Sequence, residues 1–487
     1  MSEGGASDSA APDAGALAPR RLHPAGALLA GLRIVRELAI PLLLGSGTAL
    51  LGSGLSSFDP WLVVGAACAV VGGAALAGYA GWRATSYAIE DGAVRLRRGV
   101  LRRQETSVPV ERVAGVDTRQ GPIRRLFGVL EVSIQAAGGG KAAEVRFSAV
   151  TAGAAQELEA ALARHDRRPA LGEASAPRPI RRLDRRGLLV AALTSGQIGI
   201  AVPVLAGALQ YAGDLVPSGY EDAAIGLLTG SPAAVLAAVA VALMAVWALS
   251  ILGTVIAFSG FQVERDGDRL LITRGFLQRR QATVPMARIQ AVRVVEGVLR
   301  QPFGLAALRV ESAGYASEPA VNTTLFPLIP RAEVPAFLAA TVPELAGPLG
   351  PLRPLPPRAL VRLALGPALA CLVVGASSAG GAGLPAYVSG AALALALAAL
   401  GHAGLRHRAA GFSLQGGRLL ARSRALARTT VIAAPRRLQT RTLEQGPLQR
   451  PLELATFDFA LASRRRFRVP QLDVASGWRL LGALRPR

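Results

Sequence analysis

One stretch of this 487-residue chain occurs three times, and each occurrence follows a pair of long apolar segments. The first copy reads DGAVRLRRGVLRRQETSVPVERVAGVDTRQGPIRRLFGVLEVSI and lies within 87–136. A second starts near Phe261 and a third near Phe412. Gly99 aligns with Gly275, Pro109 with Pro285, Arg112 with Arg288 and Arg437, Phe127 with Phe303, and Gly128 with Gly304. The third copy is eroded: Leu452 takes the Phe127 position and Glu453 the Gly128 position. An internal repeat restricts the fold to one supersecondary unit used again.

The apolar segments come in pairs at 38–56 and 61–82, 187–211 and 232–258, and 359–376 and 384–405. About 20 residues rising 1.5 Å each cross a hydrocarbon core of ~30 Å. The expectation is therefore six membrane spans in three helical hairpins. Composition agrees: hydrophobic residues make up 51% and aromatics only 5%, with a mean hydropathy of +0.38. Gly45, Gly52, Gly65, Gly72 and Gly73 would suit close packing of helix backbones, and Trp61 and Trp82 the two membrane interfaces. Cys68 and Cys371 fall inside apolar segments and form neither a disulfide framework nor a zinc site.

The net charge of +22 is almost all arginine, with Lys141 the single lysine. None of the three hairpin turns holds Lys or Arg; the second carries Asp214, Glu221 and Asp222. The positive-inside rule then places both termini and all three repeats on the cytoplasmic side of the membrane. Arg362, just inside the fifth segment, would snorkel to the interface.

The chain divides as follows. Residues 1–19 read as a disordered tail unlike a signal peptide, and 20–82 as the first hairpin. Residues 83–165 form the first repeat domain, 166–186 a linker and 187–258 the second hairpin. The second domain is 259–346, a Pro-rich linker 347–357, the third hairpin 358–405, and the divergent third domain 406–487. Alternating apolar residues and turn signals such as Asp91-Gly92 give strands, and helical spacing follows at 151–163, 331–342 and 474–484. The expected class is an α+β membrane protein: six spans plus three domains, each several short strands and one C-terminal helix.

Two spans followed by Tyr-x-(Ile/Val)-x-Asp-Gly, a Gly-(Val/Phe)-Leu turn, Val-Pro-x-x-Arg-(Val/Ile) and Arg-x-x-Phe-Gly resemble the bacterial pleckstrin-homology domain of the membrane-anchored type. Copy one matches at Tyr87, Asp91, Gly92, Gly99, Pro109, Arg112, Phe127 and Gly128; copy two at Asp266, Gly267, Gly275, Pro285, Arg288, Ile289, Gln290, Phe303 and Gly304. Leu22-His23-Pro24 is similar to the start of such proteins. The resemblance implies a small bent sheet or barrel capped by a helix, without a known enzymatic activity. It also implies association with a smaller single-domain relative, and a setting in envelope stress or antimicrobial resistance.

The candidate contact residues are Arg97, Arg98, Arg102 and Arg103 around the first basic turn, with Arg274, Arg279 and Arg280 at the matching place in copy two. Arg422, Arg424 and Arg428 recur in copy three. A basic β-turn near the membrane meets anionic headgroups at ~1 kcal/mol per charge. Arg112 and Arg288, in Val-Pro-x-x-Arg, would either share a functional surface or hold a structural turn. Gly138-Gly139-Gly140-Lys141 lacks the spacing of a phosphate loop and reads as a hairpin tip. His402 and His407 lack further ligands nearby and read as interfacial. No catalytic constellation, cofactor site, metal site or nucleic-acid motif stands out. The function expected is a non-catalytic scaffold or adaptor that binds anionic lipid, a smaller relative or itself. The alternative is a transporter or lipid-handling protein, for which Gln197, Gln210 and Pro203 are the main polar and kinking positions within the spans.

Overall fold

The computed structural model describes residues 17–38, 60–90, 92–100, 102–136, 144–165, 178–194, 232–312, 324–379, 386–462 and 465–484. Asp91, the Gly138–Lys141 tip, the 39–56 segment, Gln197, Pro203 and Gln210 lie outside them. The chain forms two compact units. One holds Met1–Ala174 with Leu277–Thr283, the other Ser175–Phe276 with Val284–Arg487.

Four described helices are long and apolar enough to cross a membrane: α1 (Pro60–Arg83) in the first unit, and α5 (Pro232–Phe258), α7 (Arg358–Ala379) and α8 (Ala386–Ala409) in the second. Of the two other expected spans, 38–56 falls outside the described residues beyond Leu38. The beginning of 187–211 is the helix α4 (Arg185–Leu193), which packs on α5. A further helix covers 25–38, starting well before the first apolar run. It meets α1 at Gly78, where a Cβ would come within 2.7 Å of the Gly31 amide nitrogen. Close backbone approach here depends on Gly31 and Gly78; among the described residues, Gly65, Gly72 and Gly73 have no neighbour that a Cβ would touch.

In the first unit, β1 (Leu17–Arg21), β2 (Ser86–Glu90), β3 (Ala93–Arg98) and β4 (Gln104–Pro109) form one antiparallel sheet in that order. Then come β5 (Val113–Gln120), the short α2 (Pro122–Leu126), β6 (Val129–Ala136), β7 (Glu144–Thr151) and the helix α3 (Ala152–His165). Thr151 caps α3 by accepting from the Ala154 amide at 3.3 Å. Leu158 and Leu162, one turn apart, enter a core with Ile89, Val94, Ile134 and Phe147.

Copy two repeats the plan with β8 (Arg178–Arg182), β9 (Gln262–Asp266), β10 (Arg269–Arg274), β11 (Arg279–Pro285), β12 (Ile289–Glu296), β13 (Leu305–Ser312), β14 (Thr324–Pro330) and α6 (Val334–Thr341). Copy three has β15 (Arg353–Pro354), β16 (Gly411–Gln415), β17 (Arg418–Arg424), β18 (Arg428–Ala433), β19 (Leu438–Glu444), β20 (Leu454–Leu461), β21 (Arg466–Asp473) and α9 (Val474–Ala483).

The stretches expected to be tail and linkers contribute strands. Arg20 faces Tyr87, Arg182 faces Gln262 and Arg353 faces Phe412. Each helix pair is therefore inserted between two neighbouring strands of one sheet, instead of preceding the domain. The Pro- and Arg-rich composition of 178–182 and 353–354 hides this, because an edge strand accommodates proline that an inner strand does not.

Adjacent copies share strand edges. In the first unit, residues 279–283 of β11 run antiparallel to 116–120 of β5. In the second, β12 pairs with β18, giving a seven-stranded sheet β14-β13-β12-β18-β17-β16-β15. Copy three's core of Phe412, Phe457, Phe459 and Leu472 also includes Ala291 from β12.

Candidate membrane-facing site

In copies two and three, the β-hairpin that carries the basic turn folds back onto the end of a span helix. The Gly275 amide donates to the Ser259 carbonyl at 2.8 Å, and the Phe276 amide to the Ile256 carbonyl at 3.1 Å. Ile256 lies inside the apolar stretch Ala240–Phe258. In copy three, His402 of α8 meets the Ala425 carbonyl through Nε2 at 2.6 Å. His407, further along α8, binds the Pro356 carbonyl at 3.1 Å, so both histidines tether this helix to neighbouring backbone.

The tips themselves are apolar and exposed. Phe276 is 71% and Leu426 71% exposed, with Val100 at the same place in copy one also exposed. Apolar residues there depart from the Gly, Pro, Asn, Asp and Ser that turns favour. Gly99 (φ +116°) and Gly275 (φ +102°) make the turn; a Cβ on Gly99 would overlap the Arg102 carbonyl. Copy three has Arg424 there, without a positive φ, and closes through the Ala425 amide to the Ala427 carbonyl at 3.2 Å.

A second exposed apolar loop follows β5 and its equivalents: Leu126 in copy one, and Val298, Leu299 and Phe303 in copy two. Arg300 holds the copy-two loop against the start of a span. Its guanidinium donates to the Thr194 hydroxyl at 3.0 Å and to the carbonyls of Pro327 at 2.9 Å and Ala191 at 3.1 Å. Burial lowers the Arg300 pKa to about 10, with Arg309 acting the same way, so it remains charged at neutral pH. Gln301 reaches the Leu426 carbonyl at 3.4 Å, drawing this loop and the copy-three tip together.

The arginines singled out in the sequence fall into different settings. Arg97, Arg98, Arg102 and Arg103 are all exposed around the first tip. Arg97 pairs with Glu105 at 3.1 Å and Arg98 reaches Gln104 at 3.4 Å. Arg279 is exposed, whereas Arg280 is half-buried and binds Gln278 at 2.8 Å. Arg274 is buried, its guanidinium 5.8 Å from the Phe258 ring centre, so it anchors the strand to the helix end and is not presented at the tip. Arg112 and Arg288 lie in one-turn 3₁₀ helices, Val110–Arg112 and Met286–Arg288, with Arg437 in the third at Pro435–Arg437. In copies one and two these turns are closed by the Val110 amide on the Gly92 carbonyl and the Met286 amide on the Asp268 carbonyl, both at 2.9 Å. That motif makes a corner of the fold.

One motif alignment shifts. Strand pairing puts two-residue turns at 267–268 and 416–417, since Asp266 faces Arg269 and Gln415 faces Arg418, and in copy one Glu90 faces Ala93 in the same way. Gly267-Asp268, not Asp266-Gly267, therefore corresponds to Asp91-Gly92, and Gly416-Gly417 supplies the turn in copy three. Sequence reasoning marked the Gly-(Val/Phe)-Leu turn and Phe303 as family landmarks but not as an exposed apolar surface, and it did not single out Leu426 or Leu299. An apolar pair inside a glycine-initiated turn was the available signal.

A cleft of about 380 Å³ lies in the second unit among Arg293, Ser423, Thr429, Arg465, Arg466, Phe467 and Arg468. Its charge is largely met: Glu311 takes Arg293 at 3.1 Å and Arg465 at 3.4 Å, and Asp458 takes Arg468 at 2.9 Å. Among the described residues, no group of His, Cys, Asp and Glu is placed to hold a metal ion.

Comparison with known proteins fits this geometry. The family model described as "Bacterial PH domain" matches three times, at 39–166, 220–343 and 366–487. The chain belongs to the bacterial PH domain family. It is also similar to the UPF0699 transmembrane protein YdbT of Bacillus subtilis (strain 168), 26% identical over 408 residues, covering 78% of this chain and 80% of that protein. No solved structure matches.

Proposed function

We propose that this protein is a non-catalytic scaffold of a bacterial inner membrane, whose PH-like domains lie on the cytoplasmic surface and read anionic lipid through their hairpin tips. The observation that carries this reading is the Phe276 amide bonded to Ile256 within an apolar helix, with the Phe276 side chain left exposed. A tip held at that level, flanked by arginine, combines apolar insertion with headgroup attraction. The side of the membrane rests on arginine-free hairpin turns against arginine-rich domains. In copy one, Arg97, Arg98, Arg102 and Arg103 around Val100 supply the strongest charge.

The test uses the full chain with Cys68 and Cys371 changed to alanine, in nanodiscs of zwitterionic or mixed anionic lipid. An environment-sensitive dye is placed at Val100→Cys, and at Gln415→Cys as a control on a hairpin's opposite end. The reading expects blue-shifted emission at position 100, enhanced by anionic lipid. Changing the four arginines to serine is expected to remove that enhancement. Emission at position 100 equal to that at 415 in both lipids would sink it.

A further inference from the structure

The two strand junctions between copies use one register. Counted from the first residues of β5, β12 and β19, the positions Gln120, Glu296 and Gln445 are equivalent; Arg103, Arg279 and Arg428 are equivalent likewise. Gln120 faces Arg279 in the first junction and Glu296 faces Arg428 in the second. In both, the strand that opens a copy's second sheet pairs with the strand that closes the next copy's first sheet. Copy one has such a closing strand, β4, and copy three such an opening strand, β19. Each lies at the edge of its sheet among the described residues, β4 last in β1-β2-β3-β4 and β19 first in β19-β20-β21.

Burial marks the difference. β12 is buried at nearly every position, whereas β19 is buried only at Leu438, and β4 only at Val108. Unpaired edges ordinarily carry charge that blocks further pairing. Here the charges complement one another. Continuing the register puts Gln445 opposite Arg103, Thr442 opposite Thr106 and Arg441 opposite Ser107. Arg441 then lies diagonal to Glu105 on the same face, a separation within reach of long side chains. One chain thus carries both halves of a third junction of the same kind.

We propose that copies of this chain join head to tail, β19 of one pairing antiparallel with β4 of the next in the register of the internal junctions. The occupant of each edge is a second copy of the chain, because that copy supplies the matching strand and continues an interface already used twice. The inference does not depend on the lipid reading.

The test is disulfide trapping of the full chain in its membrane, with Cys68 and Cys371 changed to alanine. A chain with Thr106→Cys is co-expressed with a differently tagged chain bearing Thr442→Cys, then oxidised. The expected result is a mixed dimer containing both tags, absent when Glu105→Cys replaces Thr106→Cys, since a one-residue slip turns the side chain to the other face. A chain bearing both Thr106→Cys and Thr442→Cys is expected to give a ladder of multiples. Three results would overturn the proposal: dimers only of the Thr442→Cys chain with itself, a bridge within one chain, or no mixed dimer from variants that elute and melt like the parent. Trapping of a host protein of another size in place of the second copy would overturn it as well.

Discussion

The strands β12 and β19 hold the same place in their copies and meet different fates. β12 lies between β13 and β18, and Glu296 at its end is fully buried, in ion-pair contact with Arg428 and 3.7 Å from Arg331. Among the described residues β19 has a strand partner on one side only, and Gln445 at the equivalent position is exposed. Arg422, beside the Glu296 network, shows what burial costs: desolvation lowers its pKa to about 10, with Arg331 and Arg428 pushing the same way against Glu296. The neighbouring copy, more than the strand's own sequence, decides whether a polar residue becomes a buried ion pair or a solvated surface group.

The largest effect should come from Glu296. Changing it to glutamine leaves the half-buried Arg428 and Arg331 without their carboxylate, and because both arginines keep access to water the loss should be about 2 kcal/mol, below the roughly 3–5 kcal/mol of a fully buried pair. Changing the exposed Gln445 to alanine, although it removes more of the side chain, should stay within about 0.5 kcal/mol. Thermal and urea unfolding in detergent measure both. Equal effects would break the contrast between joined and open edges.

Next is Gly99→Ala, which combines a positive φ with overlap on the Arg102 carbonyl. It should cost about 2 kcal/mol and distort the first tip. The same melt, together with the dye readout at position 100, checks it.

A smaller effect of opposite sign is expected at Glu453. It adopts φ +49°, the left-handed conformation that Gly128 (φ +64°) and Gly304 (φ +61°) hold in the other copies. Glu453→Gly should stabilise copy three by about 1 kcal/mol. The exposed ion pair with Arg358 that it gives up contributes ~0–1 kcal/mol and offsets part of this. A fall in melting temperature would show that the pair outweighs the backbone strain.

Least costly to stability should be Arg97→Ser. Its pair with Glu105 is exposed on both sides, so unfolding should shift by less than about 1 kcal/mol while lipid sensitivity falls.

The sequence made the repeat, four of the six expected span helices, the cap at Thr151 and the basic turns legible, because each has a local signature in period, charge or spacing. It did not show the first strand of each domain, since 178–182 and 353–354 read as linker and their partners lie beyond a helix pair. It did not show the shared edges either. Strand pairing between copies is made by backbone groups that every residue carries, and the Glu296–Arg428 pair is a trace of it in side-chain identity. The site was half legible: charge drew attention to the arginines, while the Gly-(Val/Phe)-Leu turn beside them read as a family landmark and not as an exposed apolar tip. Arg274 shows the limit, since charge alone does not reveal that an arginine is buried against Phe258.

The most direct measurement is hydrogen–deuterium exchange of the full chain, once in nanodiscs holding a single copy and once in densely loaded membranes. The account predicts slow exchange in β5, residues 279–283, β12 and β18 under both conditions. It predicts fast exchange at the outer edges of β4 and β19 in single copies, slowing when copies can meet. Exchange in β12 and β18 as fast as in β19, or β4 and β19 unchanged by crowding, would contradict it.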